Sequence, residues 1–212
     1  MISIAISSIP RVLDIEKVYI TILLSILWIG ISILVGWNLS KIMQSKGIKT
    51  NHLFIIAISC LSSILLWVKY GLSVTAIQGL FLLFVLIYAS CSDLTDHTVD
   101  DSTWLIILSL SLVNIETLGL VTMTLGAFCV FIPQISMALL PPHKTLGGAD
   151  IKLSTALAFL LGGWRGMGAY LIGLVVAVIV MSIYNKCTNR CKKKPFALVP
   201  FLSFGAMLMF LI

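Results

Sequence analysis

Eight apolar runs joined by short polar connections constrain this chain more than any other feature it has. They are Val18–Leu39, Leu53–Val68, Leu72–Cys91, Thr103–Val113, Thr117–Leu140, Ile151–Gly163, Met167–Tyr184 and Pro195–Ile212. A hydrocarbon core of ~30 Å takes about 20 apolar residues to cross as helix, and the helix is the simplest backbone that satisfies its own polar groups there. Three runs, the second, fourth and sixth, are shorter than a comfortable span. The second is completed by its flanks, and the fourth and sixth are expected to continue helically through the acidic segments ahead of them. Of 212 residues, 59 % are hydrophobic and 10 % charged, whereas a soluble domain carries roughly 25 % charged residues. The reading is an all-α polytopic membrane helix bundle of about eight transmembrane helices, one integral-membrane domain over residues 1–212. A soluble globular enzyme, a disordered tail and a disulfide-stapled secreted module are excluded.

Lysine and arginine set the orientation. With the N-terminus out, Lys41, Lys46, Lys49, Lys144, Lys152, Lys186, Arg190, Lys192, Lys193 and Lys194 fall inside, which is ten; Arg11, Lys17, Lys69 and Arg165 fall outside, which is four. The first run is a full span behind a mixed segment and reads as a retained helix, not a cleaved signal. The net charge of +6 lies in connections between apolar runs, without a basic helix face, so no nucleic-acid partner is expected; the partner is the lipid bilayer. Cys60, Cys91 and Cys129 read as small hydrophobes. Cys187 and Cys191 form a lone pair without the further ligands that structural zinc takes, so no metal site is expected.

Only eight acidic residues exist, which makes their placement informative. Asp14, Glu16 and Glu116 read as solvated boundary residues. The other five lie in two segments on the lysine-rich side: Asp93, Asp96, Asp100 and Asp101 after the third run, and Asp150 opening the sixth. Helix capping is the plain reading for Asp101 and competes for Asp150, but it suits Asp93 poorly, since Asp93 ends a run. Ionised carboxylates at the mouths of apolar helices are expensive unless a cavity or partner serves them. Two that converge on one water share a proton and titrate as a unit. The ionised one can then deprotonate a water attacking an amide carbonyl, while the protonated one polarises that carbonyl. Such chemistry requires no metal, serine nucleophile or cofactor, and none is expected. His52, His97 and His143 are isolated, and no serine sits in a G-x-S-x-G setting.

These segments resemble those of the type IV prepilin peptidases, membrane aspartic proteases of the GxGD kind. Asp93 is followed six and eight residues later by Val99 and Asp101, in the spacing of the family's Asp-x5-Ile-Pro-Asn/Asp, with Asp100 where the family has proline. Gly147-Gly148-Ala149-Asp150-Ile151-Lys152-Leu153 follows Gly-x-Gly-Asp-x-Lys-Leu, with Ala149 where the family has its second glycine. The stretch Pro195-Phe-Ala-Leu-Val-Pro-Phe-Leu-Ser-Phe-Gly-Ala is similar to the family's closing segment, and the likeness covers about residues 50–212.

The resemblance implies Asp93 and Asp150 as the catalytic pair, with Asp96 a bystander. Gly147 and Gly148 would let substrate approach the backbone, and Lys152 would lie at the active edge unless it simply snorkels to the interface. Pro200 and Gly205 would shape the last helix. The implied substrates are type IV prepilin or pseudopilin precursors, cut after a short basic leader at the cytoplasmic edge of the bacterial inner membrane. Members that also N-methylate the product carry two Cys-x2-Cys pairs after the first helix. Ser40–His52 contains none, which leaves methylation open. A small ion or solute transporter and an inactive assembly scaffold are the competing readings.

Overall fold

The computed structural model describes residues 2–48, 51–139, 147–188 and 196–212, with side chains from Val18 onward apart from 185 and 188. Lys49, His143, Lys144, Arg190, Cys191, Lys192, Lys193, Lys194 and Pro195 lie outside the described residues, as do the side chains of Arg11, Asp14, Glu16 and Lys17. The helices are α1 (Ile2–Ser45), α2 (His52–Tyr70), α3 (Val74–Asp96), α4 (Asp101–Ser111), a 3-10 turn (Leu112–Asn114), α5 (Ile115–Leu118), α6 (Leu120–Leu139), α7 (Gly148–Leu161), α8 (Gly163–Thr188) and α9 (Val199–Leu211). No strand occurs among the described residues.

Each apolar run lies largely within a helix, and the chain is an all-α membrane bundle. Five helices are long and apolar enough to cross a bilayer: Val18–Ser45, His52–Tyr70, Val74–Asp96, Leu120–Leu139 and Gly163–Tyr184. The fourth, sixth and eighth runs form α4, α7 and α9, of 11, 14 and 13 residues. At 1.5 Å per residue these are about 16 to 21 Å long, short of a full crossing. The expected helical continuation through the acidic segments stops early, at Asp101 and at Gly148. After α3 the chain turns at His97, which takes a left-handed φ of 52°, a conformation that closes a helix and that histidine tolerates better than most residues.

Local signals set the other ends. Asn51 and Ser73 accept from the N–H groups of Leu53 and Ala76 to cap α2 and α3, and Gly71 and Gly162, both at positive φ, close α2 and α7. Gly162 alone joins α7 to α8, which forces the two helices antiparallel. In α3 the most apolar stretch is 56 % buried, against 11 % in α1; α3, with α7 and α9, forms the inside, and α1 leans on α2. Between α1 and α2 the contact is small and polar: Ser63 Oγ donates to Ser32 Oγ at 3.0 Å, and Trp28 Nε1 donates to the Ser63 carbonyl at 3.1 Å. Small hydroxyl residues at helix contacts suit a bilayer, where apolar side chains gain nothing by leaving lipid. The outer faces are correspondingly apolar, with Leu23, Ile26, Val121, Leu125, Val175 and Val178 all exposed.

Backbone contact fixes the α8–α9 crossing. A methyl group on Gly205 would come 2.2 Å from the Ala169 carbonyl oxygen, so only glycine permits this approach. The up-and-down course then gathers the C-terminal ends of α1 and α3 with the N-terminal ends of α2, α4, α7 and α9. Lys46, Asp93, Asp100, Asp101, Asp150 and Lys152 all lie at this end. Lys69 is at the other, where its ammonium meets the Leu211 carbonyl at the end of α9.

Candidate active site

Asp93 stands on the last full turn of α3, 6 % exposed. Its Oδ2 accepts from the backbone N–H of Val199 at 2.9 Å, and the N–H of Leu198 serves the same carboxylate. These are the first free donors of α9, where unpaired N–H groups and the helix dipole favour an anion. His97, one turn further along, lies within electrostatic reach, so it is less isolated than its sequence neighbours suggest.

Asp150 occupies the third position of α7, behind Gly147 and Gly148. Its proton affinity is pushed up to about 6, first by burial, then by the charge of Asp93; the Gly147 N–H that its carboxylate accepts works the other way. The reach back to that N–H is a partial form of the capping expected for this residue. A carboxylate whose proton affinity is raised by its fellow is within that fellow's field, so the fold brings together two side chains from distant parts of the sequence. Gly147 has an ordinary φ of −71°, and its lack of a side chain matters for space: a methyl group there would come 3.0 Å from Asp150 Oδ2. Gly148 faces open space.

The remaining acids are placed differently. Asp100, the residue before α4, makes no side-chain cap. Its Oδ2 accepts from the Tyr88 hydroxyl at 2.5 Å and pairs with the Lys46 ammonium at 3.3 Å; the hydroxyl first, then the lysine, hold it below the usual carboxylate range. Asp101 Oδ1 accepts from Lys152 Nζ at 2.8 Å and from Trp104 Nε1 at 3.3 Å, and it too is held low, by Lys152 before Trp104. Capping, the plain expectation for Asp101, therefore gives way to an ion pair tying α4 to α7. Lys152, expected at the active edge, stands two residues from Asp150 with its ammonium committed to Asp101. Asp96 is exposed on the last turn of α3.

Residues 80–184 match the model of the type IV leader peptidase family. The chain belongs to that family. Neither a curated protein nor a solved structure gave a significant match. The matched segment carries both Asp93 and Asp150, and it ends before α9. The α9 N-terminus that holds Asp93 is thus outside the segment by which this leader peptidase family is recognised.

Four residues around the candidate site escaped the sequence reading. The N–H groups of Leu198 and Val199 carry no side-chain signal; the cue was Pro200, which suits a first helical turn. Gln134 and Ser154, fully buried polar residues behind Asp150, were hidden inside apolar runs. Among the described residues no cluster of three His, Cys, Asp or Glu could hold a metal ion.

Chemically, the arrangement offers two carboxylates at one mouth of an apolar bundle. One is held by backbone donors that favour the anion, and the other retains its proton up to about pH 6. Such a pair can accept one proton and donate another within the same event.

Proposed function

We propose that this chain is a membrane aspartic endopeptidase that removes the short basic leader of type IV prepilin or pseudopilin precursors at the cytoplasmic edge of the bacterial inner membrane. The observation that carries the reading is the placement of Asp93, held on the α9 N-terminus, and Asp150, on the first turn of α7, at one mouth of the bundle, where the Asp93 charge reaches Asp150. It is joined by membership of a leader peptidase family.

In this mechanism Asp93 is the anion and Asp150 the acid. Asp93 takes a proton from a water as the water oxygen adds to the scissile carbonyl carbon. Asp150 hydrogen-bonds the carbonyl oxygen and stabilises its developing charge. Collapse of the tetrahedral adduct breaks the C–N bond, and the proton held by Asp93 passes to the leaving amine. The leader departs with a new carboxylate and the mature chain with a free amine. Gly147 keeps the space beside Asp150 open, and Lys152 is bound to Asp101 instead of meeting substrate.

Asp93→Asn and Asp150→Asn, made separately and co-expressed with a prepilin, test this. Leader removal is expected to stop in both while each protein remains in the membrane. Normal maturation by either variant overturns the assignment.

A further inference from the structure

Behind Asp150, on the face of α7 turned into the bundle, lies a polar contact that the proposed chemistry does not use. Gln134 of α6 is 1 % exposed and Ser154 of α7 is 3 % exposed. Gln134 Nε2 lies 2.8 Å and Oε1 2.9 Å from Ser154 Oγ, and Ser154 Oγ lies 2.7 Å from the Asp150 carbonyl oxygen. The serine has one proton. Given to the Asp150 carbonyl, the shortest of these contacts, it leaves Oγ to accept from the Gln134 amide. Tyr170 of α8 engages the same amide, and its ring and Ser154 line one small cavity of about 10 Å³. Three helices therefore meet in polar contact directly behind the turn that bears Asp150.

A buried amide inside a membrane bundle is costly unless bonded, and a leucine would fill the volume more cheaply. The α7 first turn shows what the amide is for. The Gly147 position offers no side-chain cap, and a methyl group on Gly148 would meet nothing within 4 Å. Beside the reach of Asp150 to the Gly147 N–H and the exposed Lys152–Asp101 pair, the buried polar contact of this turn is the one behind it.

We propose that Gln134 is a positioning residue: through the Ser154 hydroxyl it holds the first turn of α7, and with it the Asp150 carboxylate, against Asp93. The inference rests on the carboxylate-pair reading above. Pro133, immediately before Gln134, interrupts the α6 hydrogen-bond ladder at the level where the amide leaves the helix for its partner.

Loosening the turn separates the two carboxylates and wets Asp150. Both effects lower its proton affinity toward the ordinary value of about 4. Among the helices packed on α7, the described part of α9 has no titratable side chain, α6 has only the exposed Cys129, and α4 has Asp101, paired with Lys152. α8 has Arg165 at the opposite end, Tyr170 beside Gln134, and the exposed Tyr184, Lys186 and Cys187 toward its C-terminus, while α3 brings Asp93 with His97 in its field.

The test uses the full chain purified into nanodiscs, with cleavage of a leader peptide followed against pH. Gln134→Leu and Ser154→Ala are each expected to lower kcat about 10-fold with KM within about 2-fold and to move the alkaline limb of the kcat profile to lower pH. Ser154→Thr, which keeps the hydroxyl, should stay near wild type in both. Carbon-13 NMR of labelled aspartate provides a readout without catalysis: Asp150 in Ser154→Ala should titrate below its wild-type position.

Wild-type kcat with an unmoved limb and unmoved titration in Ser154→Ala overturns the proposal, as does a loss equal at every pH. Because Ser154→Ala removes one oxygen, it decides the matter even if Gln134→Leu fails to fold. Asp93→Asn and Asp150→Asn run alongside: cleavage by these defeats the carboxylate pair itself, whereas their inactivity beside a normal Ser154→Ala defeats only the positioning role.

Discussion

Two pairs of aspartates share one end of this bundle, and their environments are opposite. Asp100 and Asp101 are exposed and each is matched to a lysine, Lys46 and Lys152; the Tyr88 hydroxyl and then Lys46 hold Asp100 ionised, and Lys152 does so for Asp101. Asp93 and Asp150 lie deeper, have no lysine or arginine partner among the described residues, and meet backbone N–H groups, with the Asp93 charge reaching Asp150. The outer pair spends its charge on tying helices together: Lys46 and Tyr88 join α1, α3 and the start of α4, and Lys152 joins α4 to α7. In the proposed mechanism the inner pair supplies the proton that acid–base chemistry moves. Position relative to lysine thus separates the two pairs more sharply than sequence motif does.

The largest expected effect breaks or upholds this division directly. Asp93→Asn and Asp150→Asn should each lower cleavage of a leader peptide at least about 100-fold, the range for loss of an acid–base group. Asp100→Asn and Asp101→Asn should stay within about 3-fold, as loss of an exposed pair does. Equal losses in all four would erase the distinction.

Next in size is the space beside Asp150. Gly147→Ala puts a methyl group 3.0 Å from Asp150 Oδ2, and the carboxylate must shift by a few tenths of an ångström. A fall in kcat of about 10-fold is expected, with thermal stability little changed; full activity would show that the carboxylate has room to spare.

Third, the Asp150 titration reports the neighbouring charge. In Asp93→Asn that charge is gone, so Asp150 should release its proton below the value of about 6, as read by carbon-13 NMR of labelled aspartate. An unmoved titration would assign the whole elevation to burial.

The smallest effect concerns stability, and its sign differs between the pairs. Asp100 and Asp101 are held low, so their contribution is present above the ordinary carboxylate value of about 4 and is lost as pH falls through their lower folded values. Asp150 is raised, so its contribution is complete below about 4 and is lost as pH rises through about 6. Melting in nanodiscs between pH 3 and 8 should show Asp150→Asn more stable than wild type at the alkaline end only. Asp101→Asn should show its deficit above about pH 4 and lose it toward pH 3.

Much of this architecture was legible in the chain before any coordinates. Each apolar run lies largely within a helix, and the lysines expected on one side, insofar as they are described, gather at one end of the bundle, because hydropathy and charge act through local sums along a stretch of chain. Helix length was less legible: α4 and α7 stop short because His97 turns left-handed and α7 begins at Gly148, only two residues before Asp150. Among the five clustered acids, sequence could name Asp93 and Asp150 by motif but could not say that Lys152 belongs to Asp101. Nor could it show that α9 lends its N-terminus to Asp93, or that Gln134 stands behind Asp150. Those depend on helix rotation and crossing depth, set by contacts such as Gly205 on the Ala169 carbonyl. Composition along the chain decided the solvent and the elements. The placing of two carboxylates from separate helices at one mouth was decided by tertiary structure, because it turns on ångström-scale approach between helices whose sequences never adjoin.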